Sequence, residues 1–186
     1  MIIKHFLFTD REEVNSFLAA CPETGQALII DAGGFNEQLE QVVIDNNLKV
    51  IALFITHDHY DHTDAVDYVY KRFPDIELIA YSYSYGKKVR RPKDSDSLTI
   101  GKLCGKIHHI PGHTNDMLVL CLGGHLFTGD TLFAGSVGGT TNSDNYLTQV
   151  QGIRSKLLTY PDDTIIHPGH GPDSSIGLER TFNPFL

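Results

Sequence analysis

The sequence predicts an α/β fold of four layers, an αββα sandwich in which two sheets pack face to face and helices cover the outside. Three observations predict it. Strand-like runs come in groups punctuated by helical segments, the order that stacked, helix-covered sheets produce. One run, KVIALFIT at 49–56, is continuously apolar, as suits a strand buried on both faces. The 186 residues suffice for one domain, 1–186, with a sizeable core.

The elements follow in order. IIKHFLF and VNSFLAA read as strands, and QALIID (26–31) follows across the turn signal CPETG. NEQLEQVVIDNN (36–47) places Leu39, Val42 and Val43 at helical spacing. A second helix is expected over 63–73, with Ala65, Val66, Val69 and Tyr70 on its inner side. Strands are expected near 76–80, 98–103, 106–110, 117–122 and 125–128, the last two joined by a Gly-Gly turn. A third helix, 145–158, carries Tyr146, Leu147, Val150, Ile153 and Leu157. TIIH (164–167) reads as the last strand, ahead of a Gly/Pro loop and a short helix.

Composition narrows the partners. Hydrophobic residues make up 41% and charged residues 20%, the balance of a folded chain rather than a disordered one. A net charge of −8 argues against long nucleic acid or an anionic membrane and leaves a small-molecule substrate. Cys21, Cys104 and Cys121 form no C-x-x-C pair, which argues against a disulfide framework or zinc ribbon and suits a reducing compartment. Cys104 and Cys121 fall in predicted strands and read as buried filler. MIIKHFLFTDREE is too short in its apolar part for a signal peptide, and no segment approaches the ~18 apolar residues of a membrane span. A cytoplasmic location is the expectation.

The chemistry begins at ITHDHYDH (55–62), where three histidines and two aspartates occupy six consecutive positions. His57 opens the loop at the carboxyl end of a strand, where side chains of open α/β sheets converge on a cleft. The bland reading is a polar helix start capped by Asp58 or Asp61. Five such groups packed together without a cation would be electrostatically wasteful, and imidazole and carboxylate are ligands for zinc, iron or manganese. The same punctuation recurs: PGHT sets His113 after KIHHI, FTGD sets Asp130 after HLF, and HPGHGP sets His170 after TIIH. The donors number seven: His57, His59, Asp61, His62, His113, Asp130 and His170. Two metals with three protein ligands each and one shared carboxylate would use all seven and leave open positions for water and substrate.

The order H-x-H-x-D-H, PGHT, TGD, PGHGP resembles the metallo-β-lactamase superfamily from about Asn15 to the end. TGDTLFAGSVGGT (128–140) and NPFL (183–186) resemble its short, single-domain glyoxalase II-like group, the hydroxyacylglutathione hydrolases. The resemblance implies the four-layer fold of that superfamily. It implies one metal on His57, His59 and His113, a second on Asp61, His62 and His170, and Asp130 bridging the two. Such paired metals, most often zinc with iron or manganese as alternatives, lie ~3.5–4 Å apart and hold a hydroxide that attacks a carbonyl. Asp61 and Asp130 would also orient the nucleophilic water and are the expected catalytic carboxylates.

Several details sort the branches. His59 is not glutamate, which disfavours the flavodiiron branch. Asp130 supplies a bridging carboxylate that true β-lactamases lack there. The chain is too short and too acidic for the RNA-processing branch. Hydrolysis of a small thioester is left in front. Against glutathione stands the Gly138-Gly139 step, where relatives carry Gly-Arg or Gly-Lys; Thr141 also replaces a common aspartate, and the helical domain of full glyoxalase II is missing. Lys87, Lys88, Arg90, Arg91 and Lys93 form a basic stretch that either compensates or is a solvated turn. The enzyme rival is a mononuclear iron persulfide dioxygenase using His57, His113 and Asp130; ester, lactone and phosphoester substrates suit the same nucleophile. A metal-stabilised binding module is the rival from another class, though structural zinc sites are normally closed.

Outside the motif, His167 reads as the end of a strand rather than a support for a ligand. His108 and His109 face opposite ways, so at most one faces the site. Asp58 and Tyr60 are expected to support the ligands or line the pocket. YSYSYG (81–86) is either a pocket wall or surface packing. No G-x-S-x-G is present, which weakens a serine-hydrolase reading.

Overall fold

The computed structural model describes residues 1–9, 12–35, 37–82 and 88–186. Its first sheet contains β1 (Ile2–Phe8), β2 (Val14–Ala20), β3 (Gln26–Ile30), β4 (Lys49–Phe54), β5 (Glu77–Ile79) and β6 (Val89–Arg90), in that order across the sheet. The first two pairings are antiparallel and the remaining three parallel. The second sheet runs β14 (Ser174–Ser175), β13 (Ile165–Pro168), β10 (His125–Gly129), β9 (Leu118–Leu122), β8 (Leu103–His109) and β7 (Ser97–Ile100). It is antiparallel except where β10 meets β13.

Period-two alternation makes the layers. On β2 and β3, Phe17, Ala19, Leu28 and Ile30 face the second sheet, where Ile107, Leu118, Leu120 and Phe127 meet them. Their neighbours Leu18, Ala20, Ala27 and Ile29 face the opposite way, onto Leu39 and Val43 of α1 (Glu37–Asp45) and Val66 and Val69 of α3 (Val66–Arg72). The second sheet does the same with Val119, Leu126 and Ile166, which pack on Ile153, Leu157 and Ile176. Those three come from the end of the α4 region and from α5 (Ile176–Phe182).

The helix expected over 63–73 is two pieces: α2 (Tyr60–Thr63), one turn carrying Asp61 and His62, and α3. The break has a cause. Ala32 N–H donates to the His62 carbonyl and Ala65 N–H donates to the Ala32 carbonyl, so the backbone bonds that would continue the helix go to the loop after β3. Helix 145–158 starts earlier, as α4 (Ser143–Gly152), because the Asn142 side chain accepts from Asn145 N–H and caps it. It ends in a π-turn, Ile153–Leu157, that leaves both of those residues fully buried. Leu147 is exposed.

The boundary expected between 103 and 106 falls instead at Gly101-Lys102, where Gly101 takes φ of 60° in a two-residue hairpin between β7 and β8. The register pairs Cys104 with Thr99 on the outward face, so Cys104 is exposed and its reading as buried filler is corrected, whereas Cys121 is half-buried and packs on the core. Strands of two residues, β6, β14 and the β11–β12 hairpin (Leu132–Phe133, Ser136–Val137), carry too few residues to show a pattern in the sequence. No helix among the described residues is long and apolar enough to cross a membrane.

Candidate metal centre

All seven predicted residues come together at one rim of the sandwich. His57 follows β4, His113 follows β8, Asp130 follows β10 and His170 follows β13, while His59 is the N-cap residue of α2 and Asp61 and His62 lie within it. They fall into two groups. In the first, His57, His59, His113 and Asp130 each offer an atom within 4.8 Å of the others; in the second, Asp61, His62 and His170 do so.

The ring orientations are fixed from behind. His113 Nδ1 lies 2.6 Å from the Gly139 carbonyl and His170 Nδ1 2.5 Å from the Glu13 carbonyl. A carbonyl only accepts, so both Nδ1 atoms carry the proton and both Nε2 lone pairs face the centre. His62 Nδ1 meets the Asp31 carboxylate at 2.8 Å, which does the same for its Nε2. His57 Nδ1 lies 3.1 Å from Thr56 Oγ1, whose own hydrogen goes to Asp31 Oδ2 at 2.8 Å. Thr56 therefore accepts from His57, whose Nε2 also turns inward.

Those inward atoms crowd one another. His59 Nδ1 is 3.0 Å from both His57 Nε2 and His113 Nε2, and His62 Nε2 is 3.3 Å from His170 Nε2. Asp61 Oδ2 sits 3.1 Å from His170 Nε2 and 3.4 Å from His62 Nε2. Asp130 stands between the groups: Oδ2 is 3.5 Å from His113 and 3.6 Å from His170, and Oδ1 is 3.3 Å from His62. Oδ1 is buried and makes no hydrogen bond of proper geometry. Tetrahedral ligands ~2.0–2.1 Å from a cation lie about 3.3 Å from one another, and the distances here bracket that value. The donor set thus fits divalent metal, and an orphaned carboxylate oxygen between two groups of nitrogen lone pairs is accounted for by cations.

Without a cation the cluster can relieve itself only through protons. Burial, with the charge on His62 added, pushes His57 down to about 2. Burial works against charge on His62 as well, but Asp31 and Asp130 outweigh it and carry that residue up to about 10. Against its own burial, Asp130 is held well below the usual carboxylate range by His62, His57 and His170.

Two supporting residues carried no signal strong enough to single them out. Asp31, 2% exposed and held at φ of 57°, was readable only as the last residue of a strand. Its Oδ1 accepts from Thr56 N–H at 2.8 Å while its Oδ2 serves Thr56 and His62, so one carboxylate sets two ligand rings. Gln149 of α4 is fully buried, accepts from His113 N–H at 2.6 Å and donates to the Gly138 carbonyl at 2.8 Å. Gly169 matters for close approach: a Cβ there would meet the Asp130 carboxylate and the His62 ring.

Other expectations resolve differently. His108 bonds Tyr160 and His109 bonds the Asn115 carbonyl, so neither joins the cluster. His167 is the penultimate residue of β13, bonded between His125 and Asp173. Asp58 accepts from Ser82, whereas Tyr60 lines a cavity of about 450 Å³ that reaches Asp61. Leu7, Phe8, Phe35 and Tyr68 supply its apolar wall and Glu12 and Asp64 polar positions. Tyr81 stacks on His109, while residues 83–86 of YSYSYG and Lys87 lie outside the described residues. In the basic stretch, Arg90 is engaged by Glu77 and the Ser97 carbonyl.

Comparison with known proteins agrees with this geometry. The family model described as "Metallo-beta-lactamase superfamily" matches residues 9–85 and 77–170. The hydroxyacylglutathione hydrolase GloC of Haemophilus influenzae is 31% identical over 192 residues, covering 86% of this chain and 87% of that protein. The crystal structure of the BLEG-1 B3 metallo-beta-lactamase superposes with a TM-score of 0.83 at 28% identity, covering 100% of this chain and 99% of that one. TTHA1623, crystallised in a di-iron-bound form, gives a TM-score of 0.78 at 26% identity over 97% of this chain and 100% of its own.

Proposed function

The chain belongs to the metallo-beta-lactamase superfamily, and from that premise we propose that it is a two-metal hydrolase of a small thioester. His57, His59 and His113 hold one divalent ion, Asp61, His62 and His170 the other, and Asp130 lies between them. Zinc suits the mixed imidazole and carboxylate donors best, with iron or manganese as the metals that analysis must discriminate. The observation that carries the reading is the convergence of imidazole nitrogens, with the rings of His57, His62, His113 and His170 each bonded on the far side.

Bound divalent ions supply Lewis acidity and bring the pKa of water towards neutrality. The chain's own groups do the rest. Asp61 and Asp130 place carboxylate oxygens where the attacking water must lose its proton, and so orient it. The acyl group of the substrate extends into the cavity beside Asp61, where Phe8, Phe35 and Tyr68 give it an apolar wall. The leaving thiol lies along Gly138 and Gly139, next to His113. Water oxygen bonds to the carbonyl carbon, the carbon–sulfur bond breaks, and the proton ends on the released thiolate, giving a carboxylic acid and a thiol. The Haemophilus relative at 31% identity is named for hydrolysis of this kind. A cytoplasmic setting, with neither nucleic acid nor membrane as partner, goes with the acidic composition.

The test is hydrolysis of S-lactoylglutathione by zinc-loaded protein, beside a chelated control and His59→Ala. Turnover with kcat/KM above ~10⁴ M⁻¹s⁻¹, lost in both controls, is the expected result. No turnover on any thioester by protein that binds two metals would overturn the substrate class. One tightly bound iron per chain would favour the dioxygenase arrangement on His57, His113 and Asp130.

A further inference from the structure

We infer that Asn15 is the positioning residue for the His170 half of the centre, and that it controls the second metal while the three histidines of the first are held independently of it. This rests on the two-metal reading above. Asn15 lies on β2, is 2% exposed, and belongs to neither ligand group. Its backbone N–H donates to the Gly169 carbonyl at 2.7 Å. Its side-chain Nδ2 donates to the Pro168 carbonyl at 3.0 Å and to the Gly171 carbonyl at 2.9 Å. One residue therefore holds the carbonyls on both sides of His170, and the His170 ring itself is bonded to Glu13, two residues before Asn15.

The amide cannot serve in the reverse orientation. Nδ2 faces two carbonyl oxygens, which demand a donor, and Oδ1 lies 2.7 Å from His5 Nε2. His5 pairs with Phe17 in the β1–β2 register and its ring stacks on Phe17 at 5.1 Å, so its position is fixed as well. The chain of control runs from His5 to Asn15 to the 168–171 loop to His170. The histidines of the first group are held from elsewhere, His57 and His113 by Thr56, Gly139 and Gln149; only Asp130 neighbours this loop, through the Gly169 N–H that donates to the Gly129 carbonyl at 2.9 Å.

Asn15→Asp is the discriminating substitution. It keeps the shape and the acceptor towards His5 but turns a negative oxygen towards two carbonyl oxygens. Metal-free wild type and variant would be titrated with Zn²⁺ against a competing chelator, and with Co²⁺ followed by its visible spectrum. Wild type is expected to bind two ions. Asn15→Asp should bind one with wild-type affinity and the other about 10–100-fold more weakly, the usual effect of losing support behind a ligand. His5→Phe, which keeps the stack on Phe17 but removes the donor to Oδ1, should weaken the same ion by a few-fold and keeps the question answerable if Asn15→Asp does not fold. Equal affinity for both ions in the variants, or parallel loss of both, would overturn the inference. Fewer than two ions on wild type would instead overturn the two-metal reading on which it rests.

Discussion

If the chain hydrolyses thioesters as proposed, replacing Gly139 with lysine should make it favour those of glutathione. The position has room: a Cβ built there meets nothing within 4 Å, and its φ is not in the left-handed region. The neighbouring carbonyl that braces His113 belongs to the Gly139 backbone and survives the change. A lysine ammonium reaching a glutathione carboxylate gains a charge-assisted hydrogen bond of ~1.5–3 kcal/mol. At ~1.4 kcal/mol per tenfold, that is about 10–100-fold, with the lower end expected because the site is open to solvent. Steady-state kinetics should show the gain in KM, since the contact is the same in ground and transition states. An S-lactoyl thioester of an uncharged thiol should be unaffected. An equal gain on both substrates, or none despite unchanged metal content, would refute the placement of the leaving group along this loop. The adjacent glycine is the contrasting control: a Cβ on Gly138 runs into the Asp130 carbonyl, so Gly138→Ala should displace the central carboxylate and lose metal and activity together.

Asp31→Asn replaces an acceptor by a donor facing His62 Nδ1 and Thr56 Oγ1, and should lower affinity for the ion on His62 by about 10–100-fold, read by chelator competition. It should also destabilise the metal-free protein by about 3–5 kcal/mol in urea melts, since it leaves a buried partner unmatched. The metal-free protein should be most stable near pH 6.5. Below that pH, His57 protonates only on unfolding, so stability falls as pH falls; above it, the proton held by His62 alone in the folded state makes stability fall as pH rises towards about 10. Each limb has a slope of up to about 1.4 kcal/mol per pH unit, and flat urea midpoints between pH 5 and 8 would contradict it. At pH 7–8, metal binding should release the His62 proton, seen as an enthalpy that varies with the buffer's ionisation heat.

The ligand set was legible because four donors crowd ITHDHYDH after an apolar run and the other three each follow an apolar run in a glycine-bearing turn, a pattern that needs no knowledge of three-dimensional neighbours. The supporting residues were not, for a physical reason. Asp31, Asn15 and Gln149 reach the ligand loops across 25 to 156 residues of chain, and nothing in the local sequence marks an aspartate or amide whose partner is that distant. The four layers were legible in the order of strand and helix runs and in the apolar run at 49–56; in the structure neighbouring residues of β2, β3 and β9 face different cores. The misplaced boundaries share one origin: tertiary hydrogen bonds to Ala32 cut a helix that periodicity alone continues, and a glycine at positive φ moved a hairpin turn. Whether the basic stretch could bind a carboxylate was likewise invisible, because Glu77 lies outside it in sequence and beside Arg90 in space.

The bond from His170 to the Glu13 carbonyl joins residues 157 apart. A growing chain on the ribosome, extended by ~5–20 residues per second, makes His57, His59, His113 and Asp130 before His170 exists. An unfinished chain can therefore assemble only the first ligand group. The second group is complete only when the late loop docks against the earliest hairpin, so on the two-metal reading the order of synthesis would set an order of metal capture.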